Sequence, residues 1–139
     1  MIEPDPDLTA TLSSMMPLMA HMGAEAVSAD RDLVVLRLGW SPERCTSGGM
    51  LHGGALMTLA DGAAGWCAFL NLPADAAGTT TIESKTNFLR GVRDGHVDAL
   101  SAILHRGRTT IVVDTELRDA EERLVARVTQ TQAVLMSRP

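Results

Sequence analysis

The chain has too few cysteines for a disulfide framework. Its 139 residues include only Cys45 and Cys67, a usage that suits a reducing compartment. Histidines are scattered at 21, 52, 96 and 105, and no pair has zinc-ligand spacing. Positive charge is also scarce. Lysine and arginine together number 12 against 17 acidic residues, a net charge of −5. A nucleic-acid binder normally carries a basic patch, and this balance gives no pull toward an anionic membrane. The opening MIEPDPDLTA is acidic where a secretory leader is basic, so a cytoplasmic location is expected. Repeats and low-complexity tracts are absent. The remaining composition, 45% hydrophobic and 21% charged, is that of an ordinary globular chain. Residues 1–139 read as one domain with its own core, 1–5 being a loose tail.

Local signals order the chain. Asp5 followed by Pro6 suits a helix cap and first position. Leu8, Leu12, Met15 and Met19 recur at helical spacing, so 6–22 reads as mostly helical, broken at Pro17 and ended at Gly23. Residues 33–40 read as a strand and 41–52 as a loop punctuated by Pro42, Ser47, Gly48 and Gly49. The segment GGALMTLADGAAGWCAFL, residues 53–70, is apolar all round except for Asp61. A helix here is expected to be buried on every side. A membrane span is the rival, but a central Asp costs roughly 2.5–3.5 kcal/mol on insertion, and glycines weaken it further.

Four strands are expected after that helix: 79–90, 96–105, 109–118 and 124–136. In the first, Ile82, Ser84, Thr86 and Phe88 fall on one face, with Glu83, Lys85 and Asn87 on the other. In the third, Ile111, Val113, Thr115 and Leu117 align. In the last, Leu124, Ala126, Val128 and Val134 align. The short turns, Arg106-Gly107-Arg108 and 119–122 among them, favour an antiparallel meander. The expected class is α+β: one long buried helix wrapped by a curved antiparallel sheet, with a short helical segment before it.

Two features of the helix carry chemistry. A carboxylate in apolar surroundings is costly unless paired or neutralised. Asp61 is therefore either a structural hydrogen-bond acceptor or a base or nucleophile. His52-Gly53-Gly54 sits at the expected helix start. Free N–H groups there stabilise negative charge, and glycine lets a carbonyl approach the backbone, as an oxyanion hole requires. A plain loop-to-helix junction is the alternative. Asp61 lies eight residues after Gly53, roughly 12 Å along a helix axis. Both groups must come within about 3 Å of the reacting atoms. If both serve one carbonyl, they come from different chains, and a twofold dimer with antiparallel helices would supply two such sites.

The strings LHGGALMTLADGAAGWCA, TTTIESKTNFLR and ERLVARVTQTQAVL resemble the PaaI-type branch (phenylacetic acid degradation) of the hotdog-fold acyl-CoA thioesterases. The resemblance covers about residues 20–137. It implies the hotdog fold, hydrolysis of acyl-CoA thioesters without a metal or other cofactor, and sites shared across a homodimer, alone or paired into a tetramer. Residue by residue, it implies that the Gly53 N–H polarises the carbonyl. Asp61 attacks the carbonyl or activates water. His52 shapes the loop and helps hold the carbonyl or thiolate, and Thr81 positions the water. Thr46 stands where relatives carry Asn or Gln, and Gly91 where they carry Pro. Thr46 and Gly54 are candidate substrate contacts. Arg90, Arg106 and Arg108 are candidates for the coenzyme phosphates. Met50, Met57, Trp66 and Phe69 are candidates for the acyl pocket or for the core. The cysteines lack any histidine pattern and are not expected to be nucleophiles.

Two other functions compete. A hotdog hydratase or dehydratase would need a histidine with a carboxylate at the carbon beside the carbonyl, and His52 is the sole candidate. A non-catalytic acyl-CoA-binding protein would bind without turnover.

Overall fold

A computed structural model describes residues 2–138. Asp5 caps the first helix, α1 (Pro6–Met15), accepting from the amides of Asp7 and Leu8. Its own N–H donates to Ala26 O at 2.8 Å, which ties the helix to the sheet. Pro17 breaks the helix as expected and opens α2 (Pro17–Met22), which ends on Gly23 in the left-handed region, φ 74°.

Six strands form one antiparallel sheet: β1 (Glu25–Ala29), β2 (Val34–Gly39), β3 (Ala76–Phe88), β4 (His96–Arg106), β5 (Thr110–Asp119) and β6 (Leu124–Met136). Strand β1 was not signalled in the sequence. It is five residues long, pairs only with β2 and carries a bulge between Ala26 and Ser28, so no alternation builds up. The loop at 41–52 holds two single 3₁₀ turns and a bridge between Cys45 and Leu51.

The sheet order is β1-β2-β4-β5-β6-β3. The expected four-strand meander therefore holds only for β4-β5-β6. β3 is at the far edge against β6, and residues 89–95 cross the sheet instead of forming a hairpin. The crossing is pinned by the amides of Leu89 and Arg90, which both donate to Val125 O, and by Leu51 N donating to Val92 O.

The long helix α3 (Gly53–Leu70) packs against β2, β3, β4, β5 and β6. Leu59, Ala60, Ala63, Trp66 and Cys67 meet Leu36, Ala99, Ile111, Val113 and Val128 in one apolar core. Burial of this kind contributes about 25 cal/mol per Å2 of apolar surface. At Gly62 a Cβ would meet Met19 Sδ at 2.6 Å, so glycine lets α2 lie on α3 without moving that side chain. The helix is not buried on every side, contrary to expectation. Exposed Gly54, Met57, Asp61 and Phe69, with half-buried Gly65 between the last two, form a stripe at three- and four-residue spacing. The apolarity of that stripe had suggested core, but in the single chain it faces outward.

Strand β3 also departs from simple alternation. Thr81 pairs with Gln132 and Glu83 with Thr131, so Ile82 is the extra residue of a bulge. Directly paired residues share a face of the sheet. Thr79 and Thr81 consequently lie on the same side as Ser84, Thr86 and Phe88, and Ile82 does not join them. A bulge re-aims side chains in this way, and here it turns Thr81 toward α3.

Candidate active site

Asp61 sits midway along the exposed stripe of α3. Its Oδ1 accepts from Gln130 Nε2 at 2.5 Å and lies 3.5 Å from Thr81 Oγ1. The carboxylate is partnered without any cation, since no ion pair involves it among the described residues. It opens on a cavity of about 600 Å3 whose walls include Met15, Gly65, Trp66, Phe69 and Thr81. Trp66, in the core, and exposed Phe69 line the same cavity as the carboxylate. Met57 lies on the exposed stripe, and Met50 lines a different depression.

The start of α3 has a specific hydrogen-bond pattern. His52 is the cap, and its Nδ1 accepts from Gly54 N at 2.8 Å. In the neutral ring the proton therefore lies on Nε2. Ala55 and Leu56 donate to His52 O. The Gly53 amide donates to nothing among the described residues. It is the N–H left open at the positive end of the helix dipole. Gly53 shares a depression of about 370 Å3 with Thr46, Phe88 and Arg90. His52 and Gly54 face another, with Arg44, Cys45 and Thr58.

The candidate residues therefore fall into separate groups within one chain. Asp61 and Thr81 share one cavity, while Gly53, Thr46 and Arg90 share a second. Arg106 and Arg108 line a third, with Arg31, at the opposite end of α3, where Arg106 Nη2 donates to Asn71 Oδ1. The helix is unbroken between Gly53 and Asp61, so the axial separation of roughly 12 Å stands. Cys67 is fully buried. Burial pushes its thiol up to about 11, which makes it a poor nucleophile.

Sequence reasoning missed Gln130 and Gln132. Both lie on the inner face of β6, 0% and 1% exposed. The signal was available: the apolar alternation Leu124, Ala126, Val128 lapses at 130 and 132 and resumes at Val134. Two amides at core-facing positions need partners, and the nearby carboxylate is one of them.

The thioesterase superfamily model matches residues 48–126, a span holding Gly53, Asp61 and Thr81. The chain belongs to the thioesterase superfamily. ComA2 of Bacillus subtilis, itself a proposed esterase, is 31% identical over 118 residues, covering 85% of this chain and 94% of that protein. A 1,4-dihydroxy-2-naphthoyl-CoA hydrolase of Listeria monocytogenes is 29% identical over 123 residues, with 88% and 99% covered. Among solved structures, a mutant of the Pseudomonas aeruginosa thioesterase PA1618 superposes with a TM-score of 0.86 at 25% identity, covering 96% of each chain. The architecture of this superfamily member is the hotdog fold. No helix among its described residues is long and apolar enough to cross a membrane.

Proposed function

We propose that this superfamily member is a cytoplasmic acyl-CoA thioesterase of the PaaI type, working as a homodimer in which each site takes Gly53 from one subunit and Asp61 from the other. The observation that carries this reading is the Asp61 carboxylate, held by neutral donors at the mouth of a largely apolar cavity. The unpartnered Gly53 amide at the start of the same helix supports it. The naphthoyl-CoA hydrolase among the relatives supports a coenzyme A thioester as substrate.

The chemistry follows from these groups. The Gly53 N–H points at the place where the thioester carbonyl oxygen gathers charge. Asp61 of the opposite subunit either removes a proton from a water that attacks the carbonyl carbon, or attacks that carbon itself. The tetrahedral centre collapses, the C–S bond breaks, and the thiolate takes up a proton. By the nucleophilic route, water then opens the resulting anhydride. The Thr81 hydroxyl, which accepts from Gln132 at 2.7 Å, keeps its own hydrogen for a water or for Asp61. His52 Nε2–H is a second donor beside the carbonyl or thiolate. Arg90, beside Gly53, and Arg106 with Arg108, at the other end of α3, are the cations available for the coenzyme phosphates.

Exposed surface supports the dimer. β3 is an edge strand, with Ile82 63% and Phe88 52% exposed, and Phe69 on the helix stripe is 53% exposed. An open edge beside exposed apolar groups favours a second chain. The deciding experiment is thiol release across a panel of acyl-CoA thioesters. Asp61→Asn is expected to lose at least roughly a hundredfold in rate. A folded D61N enzyme with near-normal turnover would remove Asp61 from the reaction. Hydration of an enoyl thioester without thiol release would favour the hydratase instead.

A further inference from the structure

We propose that Gln130 is a positioning residue for the Asp61 carboxylate, and that Gln132 and Thr79 hold Gln130 in turn. The proposal rests on the reading of Asp61 as the catalytic carboxylate.

Two glutamines occupy adjacent inward positions of β6, between the buried Val128 and Val134. A buried amide is costly unless its polar atoms are bonded. Here the bonds run in one line. Thr79 Oγ1 shares its one hydrogen between Gln132 Oε1 and Ala133 O, both at 3.0 Å. Gln132 Nε2 donates to Gln130 Oε1 at 2.8 Å and to Thr81 Oγ1 at 2.7 Å. Gln130 Nε2 donates to Asp61 Oδ1 at 2.5 Å.

The direction of this line is fixed by what each group can do. An ionised carboxylate only accepts, so Gln130 must turn its NH2 to Asp61 and its oxygen to Gln132. Both hydrogens of Gln132 are then committed, and its oxygen must face Thr79. Flipping Gln130 would set oxygen against oxygen at Asp61, and nitrogen against nitrogen at Gln132. The line thus delivers hydrogens to Asp61 and offers it no acceptor. It also distinguishes the two carboxylate oxygens. Oδ1 receives the protein's donors, whereas Oδ2 receives none among the described residues. Oδ2 is the oxygen left for water or the thioester carbon, and Gln130 sets where it points.

The test compares Q130M, Q132M and D61N with wild type in steady-state thiol release from phenylacetyl-CoA and hexanoyl-CoA. Folding is checked by circular dichroism and thermal melting. Gln130→Met keeps the volume and removes the bond. A hydrogen bond to a charged group is lost, so kcat should fall about ten- to hundredfold. KM should move by less than about threefold, since the bond serves the reacting group and not binding. Q132M leaves the direct bond and should lose roughly three- to tenfold, and the double variant no more than about Q130M alone, because the two act in series. A folded Q130M with unchanged kcat, beside an inactive D61N, overturns this proposal and leaves Asp61 catalytic. A D61N that keeps its rate removes both. If Q130M does not fold, side-chain amide resonances decide. On going from wild type to D61N the Gln130 and Gln132 NH2 signals should both move, and a Gln132 signal that stays put overturns the coupling.

Discussion

The Gly53 amide can be deleted without disturbing the helix that carries it. Gly53→Pro places proline at the first helical position, where it is tolerated because the N–H there has no helical partner. The preceding residue suits it: His52 has φ −64° and ψ 134°, the extended region favoured before proline. No hydrogen bond of the described chain is lost, because the Gly53 N–H makes none. The steric cost of the added Cβ is local. A Cβ at Gly53 would lie 3.1 Å from Phe88 Cζ, and that ring is half exposed and free to give by a few tenths of an ångström. Removing a single oxyanion donor costs about 10²–10³ in kcat. G53P is therefore expected to keep its melting temperature and lose two to three orders of magnitude in thiol release.

Mixing tests which chain supplies which half. A dimer of one G53P subunit and one D61N subunit contains one site with both groups intact and one with neither. Random exchange of equal amounts makes about half the dimers mixed, so about a quarter of all sites should be active. Two inactive preparations, unfolded and refolded together, should thus regain roughly 25% of wild-type activity, read by a thiol-specific chromophore. Sites confined to one chain would regain nothing on mixing. That result would refute the shared site, and a G53P enzyme of normal rate would refute the amide's role.

Two further outcomes concern the thiols and the turn after β5. Cys67, its thiol pushed up to about 11 by burial, should resist a maleimide at pH 7 in the folded protein and react only on unfolding; rapid native labelling at Cys67 would contradict its placement in the core. Burial raises the Asp119 carboxyl, but hydrogen bonds from the Arg123 amide and guanidinium and from the Glu121 amide outweigh it and hold the group below its ordinary value. A depressed carboxylate adds stability above its unfolded value, near 3.9, and that stability is lost as pH falls through the folded value. Asp119→Asn should therefore lower the melting temperature at pH 7 by roughly 3–6 °C for a loss of about 1 kcal/mol, with the gap closing below about pH 4. An equal gap at pH 7 and pH 3 would disprove the ionic contribution.

The sequence by itself determined the elements other than β1, and the chemistry-bearing helix among them. Asp5-Pro6, Pro17 and Gly23 punctuate the N-terminal helices through backbone geometry alone, and the span of β6 follows from local pattern. Asp61 stood out because a charge amid alanines and glycines is costly wherever the helix packs. Only the tertiary structure decided what surrounds it. Whether the helix is sealed or striped depends on how far the sheet wraps it, which no local pattern encodes. β3 lies beside β6 rather than β4 because pairing joins residues some fifty positions apart, as Thr79 with Val134. The bulge at Ile82 shifts the facing of β3 by one residue, and so turns Thr81 toward α3. Gln130 looks like an interruption in an apolar strand until the register brings it 2.5 Å from a carboxylate 69 residues away in the chain.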